Sequence, residues 1–220
     1  WTGERVGGSW DGRVPRDEVN SALGDSMVVP RLLIIVGTSG VGKSTMSAKL
    51  ASSLGFSKVA STDTVREVLR TQLTSSERPS LHRSSFESAG GSAVEDWKET
   101  VGAVSEGVQA VIGRALEKRG DLLLEGVHYF PNREIIDEWR DAGGIVTGVV
   151  LYVTSESMHR GMIANREKHN GKQVDHYLDN LDRIRDIQED LVVSGSQSEW
   201  LLIDPTKESD AVGIISNSLS

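Results

Sequence analysis

From residue 31 onward, short unbroken apolar runs alternate with longer stretches in which apolar residues return every three or four positions. Leu32-Leu-Ile-Ile-Val36 is a run without polar interruption, as a parallel strand covered on both faces requires. The stretch Lys43–Leu54 then carries Met46, Leu50 and Leu54 at helical spacing and stops at Gly55. The same reading predicts strands at 58–61, 122–125, 145–153 and 200–203. It predicts helices at 63–73, 94–118, 132–142, 155–169, 174–193 and 208–219. The helix over 94–118 has a buried stripe of Trp97, Val101, Val104, Val108, Val111, Ile112 and Ala115. Strand and helix in strict alternation imply an α/β fold: a three-layer sandwich around a mostly parallel five-stranded sheet.

Two stretches break the alternation. Residues 1–30 are rich in Gly and charge and lack apolar periodicity, so a mobile arm before a domain at 31–220 is expected. Met27, just before the first strand, is a candidate natural start. Residues 74–93 hold Ser, Arg, Pro and Gly without period, and a loop this long inside a domain is usually functional.

Composition narrows the partners. The 220 residues are 37% apolar and carry a formal net charge of −8, which argues against a nucleic-acid or anionic-membrane surface. It leaves room for a small anionic substrate held by a few arginines. There are no cysteines, so disulfides and thiol catalysis are excluded. No apolar run reaches the roughly 18–20 residues of a membrane span. A cytoplasmic monomer or homodimer is expected.

The segment between the first strand and first helix is Gly37-Thr38-Ser39-Gly40-Val41-Gly42-Lys43-Ser44, followed by Thr45. It fits G-x-x-x-x-G-K-[ST] at every position and in the right context. Glycines let backbone N–H groups wrap a phosphate, the helix N-terminus adds its dipole, and Lys43 reaches the terminal phosphates. Ser44 is the candidate Mg²⁺ ligand, with ATP as the nucleotide.

The acceptor side is read from strand ends. Asp63 follows the second strand, at the sheet edge where ligands bind in open α/β folds, and could orient an acceptor hydroxyl as well as cap the helix. Arg66 and Arg70 share its helix face, and Arg66 is the better candidate clamp for an anion. Arg78, His82 and Arg83 stand among hydroxyl residues in the 74–93 loop. Glu125 ends the third strand, near the expected γ-phosphate and metal, and His128 and Tyr129 follow; His128 is a candidate acceptor contact. A basic helix bearing His159, Arg160 and Arg166 reads as a lid over 155–175, with Arg166 the candidate for stabilising charge in transfer and Arg160 a second phosphate contact.

These segments together, GTSGVGKST, STDTVREVLR at 61–70, RSSFESAG at 83–90 and LLLEGVH at 122–128, resemble the archaeal 2-phosphoglycerate kinases over about residues 31–170. That family is similar to kinases of other small phosphorylated acids, such as mevalonate-3-phosphate 5-kinase. The resemblance implies an ATP-dependent kinase of nucleoside-monophosphate-kinase-like fold, strand order 2-3-1-4-5, with an acceptor that already carries phosphate and carboxylate. Family members often have a further domain before the phosphate loop; here about thirty residues precede it. A gluconate-, shikimate- or nucleoside-type kinase, or a P-loop switch without catalysis, are the other readings the residues admit.

Overall fold

The computed structural model describes residues 29–170 and 174–219, with side chains from 167 to 170 left aside. Five strands, β1 (Arg31–Val36), β2 (Val59–Ser61), β3 (Leu122–Gly126), β4 (Ile145–Leu151) and β5 (Leu201–Ile203), form one sheet in the order β2-β3-β1-β4-β5. Every neighbouring pair is parallel. The expected strand order is therefore the observed one.

The apolar run of β1 explains why it is central. Successive side chains point to opposite faces, so Leu32, Ile34 and Val36 enter one core while Leu33 and Ile35 enter the other. All five are fully buried. The first core lies under α2 (Thr62–Arg70), α3 (Ala93–Glu117), α4 (Glu134–Asp141) and α7 (Leu181–Gln197). The second lies under α1 (Lys43–Leu54) and α8 (Ala211–Asn217). Helices α5 (Glu156–Asn170) and α6 (Val174–Leu178) complete the set.

Helix α3 begins with a capping box, Ser92 and Glu95 satisfying each other's backbone N–H. Its indole Trp97 is fully buried and donates to the Val127 carbonyl, fixing the chain just after β3.

Two expectations need correction. The helix expected over 174–193 is two helices, because the chain turns at Asp179-Asn180, where Asn180 Nδ2 donates to the His176 carbonyl at 2.9 Å. The turn lets α6 lay His176 and Tyr177 against Phe86, at ring centroids 5.2 and 5.3 Å, while α7 buries Ile184, Ile187 and Leu191. The helix expected over 63–73 ends at Arg70, and its cap is Ser61, not Asp63: Ser61 Oγ accepts from the Asp63 N–H at 3.2 Å. The expected arm falls almost entirely on residues 1–28, outside the described residues.

Candidate active site

Parallel strands deliver their carboxyl ends to one edge of the sheet. Val36, Ser61, Gly126 and Leu151 end there, leading into the phosphate loop, α2, the 127–133 segment and α5 respectively. Register fixes their levels: Glu125 lies opposite Ile35 on one side and Ser61 on the other.

The phosphate loop runs from Gly37 to Gly42. Gly40 and Gly42 adopt φ of 85° and 91°, a left-handed backbone that side chains disfavour. Gly42 caps α1 without a side-chain bond, so the first amides of a twelve-residue helix are left for a ligand. Val41 turns inward and is fully buried in the second core. Thr38 is buried too, and its Oγ1 has no partner.

Two cavities meet on this loop. One, of about 490 Å³, is lined by Gly40, Gly42, Lys43, Ser44, Thr45, Met162, Asn165 and Arg166. The other, about 430 Å³, is lined by Ser39, Lys43, Ser44 and Arg166 again, with Asp63, Arg66, Glu67, Ser84, Ser85, Phe86, Glu125, Val127, His128 and Tyr177. Lys43, Ser44 and Arg166 are common to both. A third hollow of about 300 Å³ continues past Gly42 and Thr45, with Met46, Met162, Pro205, Ala211 and Val212 giving it apolar walls.

Electrostatics follow the geometry. Lys43 Nζ donates to the Thr38 carbonyl at 2.7 Å. Loss of hydration lowers its pKa to about 8, opposed by Glu125 and Asp63 and assisted by Arg166. Asp63 lies 3.3 Å from His128 Nε2. That hydrogen bond, followed by the charges of His128, Lys43 and Arg66, brings its carboxyl down to about 2 against the opposing effect of desolvation. His128 is buried; its Nδ1 meets Thr100 Oγ1 at 3.1 Å, and its backbone N–H donates to Thr62 Oγ1 at 3.3 Å. Thr62 in turn fills the space beside Gly126, where a Cβ would overlap its hydroxyl.

Not all the expected residues converge. Lys43, Ser44, Asp63, Glu125, His128 and Arg166 do. Arg66 lines the same cavity but also holds the loop, donating through Nε to the Leu81 carbonyl at 2.9 Å and through Nη2 to the Arg83 carbonyl at 2.6 Å. Arg83 points elsewhere. Its guanidinium bonds the Asp96 carbonyl and Glu99, tying the loop to α3, so it is not aimed at an acceptor. His82 is likewise spent on the Leu73 carbonyl at 2.9 Å. Arg70 pairs with Glu67 on the exposed face of α2, and Arg160 with Glu156 on α5; neither lines these cavities.

Several lining residues carried no signal as single positions. Ser84, Ser85 and Tyr177 reach the second cavity because the loop is strapped down. Arg183 of α7 donates to Asp96 at 2.6 Å and to the Phe86 carbonyl at 2.8 Å, while Asp96 accepts from Ala89 and Gly91. Asp96 is buried, so its ionised form is held by these bonds. Only the fold brings residues 86, 96 and 183 together.

A family model described as an AAA domain matches residues 32–191, from β1 into α7 and so across both main cavities. The chain belongs to that family. Among curated proteins, this AAA-domain chain is 30% identical to a 2-phosphoglycerate kinase of Pyrococcus furiosus over 172 residues, 74% of this chain and 55% of that one. To a 2-phosphoglycerate kinase of Pyrococcus horikoshii it is 31% identical over 174 residues, 76% of this chain and 56% of that one. The chain thus spans about half the length of these curated relatives. A crystal structure from Chloroflexus aurantiacus, provisionally assigned as a kinase, superposes with a TM-score of 0.53 at 18% identity. The superposition covers 88% of this chain and 97% of that one, a likeness of fold.

Proposed function

We propose that this chain is an ATP-dependent kinase that transfers the γ-phosphate to a hydroxyl of a small phosphorylated acid of the 2-phosphoglycerate type. The observation that carries the reading is the pair of cavities sharing Lys43, Ser44 and Arg166. A donor phosphate held at that junction is offered from one cavity to the other. The names of the curated relatives support the acceptor class.

The residues suit the nucleotide. Uncapped amides of α1, the turned-in glycines and the Lys43 amine offer donors to phosphate oxygens. The apolar hollow beyond Thr45 has room for a planar ring. Magnesium would be held by Ser44, with Glu125 reaching it through water, and would neutralise charge on the terminal phosphates. No cluster of three or more acidic, His or Cys side chains fit to bind a metal occurs among the described residues, which suits an ion held mainly by phosphate and water.

In the transfer, the acceptor oxygen bonds to the γ-phosphorus as the bridge to the β-phosphate breaks, the electron pair leaves with ADP, and the hydroxyl proton passes late, through the Asp63 carboxylate, to solvent. Asp63, aimed by His128, accepts a hydrogen bond from the acceptor hydroxyl and points it along the line of attack. Its low pKa makes it an orienting group more than a strong base, which is what a loose transition state needs. Arg166 and Lys43 meet the charge on the moving group. With Arg83 and His82 facing away, the acceptor's anions fall to the remaining Arg66 donors and to Ser84, Ser85 and Tyr177.

An acceptor panel with ATP and Mg²⁺, read as ADP release, tests the proposal. Release that rises with 2-phosphoglycerate, or with mevalonate 3-phosphate as the second acceptor, is the expected result. Equal stimulation by gluconate or shikimate would overturn the acceptor class, and no stimulation by any acceptor would overturn the kinase itself.

A further inference from the structure

The lid helix carries a buried histidine that the proposed chemistry leaves unused. His159 lies in the first turn of α5, is fully buried, and brings its Nε2 to 2.8 Å from the Ser39 carbonyl. A carbonyl only accepts, so the Nε2 carries the hydrogen. The other ring nitrogen, Nδ1, is buried with no partner. A buried polar atom left unmatched costs stability, and the ring's one satisfied bond goes to the phosphate loop.

The contact is part of a longer fit. Ile163, one turn along α5, occupies the space that a Cβ on Gly40 would need, and His159 Cδ2 lies 3.4 Å from that same point. The Met162 methyl lies 3.8 Å from the corresponding point on Gly42. The root of the lid is thus seated on the loop, while Asn165 and Arg166, further along the helix, line the cavity.

We propose that His159 is a positioning residue for nucleotide phosphate, acting through the Ser39–Gly40 peptide. In a trans peptide the C=O and the following N–H point in opposite directions. Holding the Ser39 oxygen outward against the lid root therefore turns the Gly40 N–H the other way, and Gly40 lines the phosphate cavity. Without that hold the peptide is free to flip, and a flip replaces a donor facing the phosphates with an acceptor that repels them. The same bond ties the loop to the root of the helix that bears Arg166.

The functional consequence rests on the kinase reading; the hydrogen bond does not, and the experiment separates them. Nitrogen–proton correlation spectra of the unliganded protein at neutral pH should show His159 as the Nε2–H tautomer. The Nδ1–H tautomer would overturn the proposal whatever the enzyme does. Next, nucleotide dissociation constants and steady-state kinetics are compared for His159→Gln, His159→Asn and His159→Leu. Gln can place its amide N–H near the Nε2 position, whereas Asn is too short and Leu has no donor. Loss of one such bond corresponds to about a tenfold change. The expected result is nucleotide binding weakened about tenfold in the Asn and Leu variants, acceptor KM unchanged, and most of the loss recovered in Gln. Nucleotide affinity unchanged in Asn and Leu would overturn the proposal. So would equal impairment of all three, or a parallel loss of nucleotide and acceptor binding, which would mark a packing role alone. If Leu does not fold, the Gln–Asn comparison carries the same decision. Wild-type protein with the Nε2–H tautomer but no affinity for nucleotide would sink the kinase reading and leave the bond standing.

Discussion

His128 Nε2 lies 3.3 Å from Asp63 Oδ1, although the two residues leave different strands and stand 65 positions apart. The imidazole is buried and the carboxylate is 61% exposed, so the histidine is the fixed member and the carboxylate is aimed by it. Thr100 and Thr62 hold the ring and its backbone from behind.

Asp63→Asn should lower kcat about a hundredfold or more, with nucleotide affinity kept, because the amide retains shape but loses the acceptor charge that points the hydroxyl. Steady-state kinetics on the best acceptor check this; wild-type kcat in the variant would remove Asp63 from the transfer step. His128→Asn should show a smaller loss of the same kind.

The same pair fixes a sign in acid. The folded Asp63 carboxyl, at about 2, lies below its ordinary 3.8. Its contribution to stability is therefore complete above about pH 4 and is lost as pH falls through about 2. Melting temperatures of wild type and Asp63→Asn should differ by a constant amount from pH 5 to 7 and converge in strong acid. A gap that widens in acid would contradict the assignment.

Lys43 gives a dependence at the other end. Burial lowers its amine to about 8 in the free protein, so the charge that phosphates need is present below that pH and lost above it. Nucleotide affinity should be level from pH 6 to about 7.5 and then weaken, by up to about tenfold per pH unit, until the pKa of the complex is passed. Titration calorimetry across pH measures it. Lys43→Ala should bind weakly at every pH and show no such slope.

Arg66 both lines the second cavity and holds the Leu81 and Arg83 carbonyls. Arg66→Ala should raise acceptor KM at least about tenfold and leave nucleotide affinity unchanged, since the strap it loses belongs to the acceptor loop. Arg66→Lys should rescue little, because an ammonium cannot hold two carbonyls in the fork geometry of guanidinium. An unchanged acceptor KM in the alanine variant would exclude Arg66 from the site.

Gly126 has a φ of 153°, and a side chain there meets Thr62. Gly126→Ala should destabilise the protein by about 1–3 kcal/mol in chemical denaturation. Gly126→Ala with Thr62→Ala should recover part of that, because the two changes share one contact. Strict additivity would mean that the clash is not the cause.

Much of the fold is written locally. The unbroken apolar runs Leu32–Val36 of β1 and Leu122–Leu124 of β3 require burial on two faces, and that demands a sheet between helix layers whatever the partners. The phosphate loop is equally local, since its glycines, Lys43 and Ser44 lie within eight consecutive residues and the chemistry depends on that spacing. Asp63, Glu125 and His128 were legible because strand ends share an edge in a parallel sheet.

Side-chain direction in the loop was not written there. Arg83 and His82 have the composition of an anion site, but Glu99 and the Asp96 carbonyl of α3 claim the first, and the Leu73 carbonyl, nine residues back along the folded segment, claims the second. Tyr177 enters the second cavity only because the chain turns at Asn180 and sets α6 against Phe86. His159 reads in sequence as one more residue of a basic helix, yet it is fully buried under the phosphate loop. Sequence determines what is encoded by period and spacing within one or two turns or strands. Where a polar side chain spends its hydrogen bonds depends on which distant backbone groups the packed layers bring within about 3 Å, and that only the tertiary structure decides.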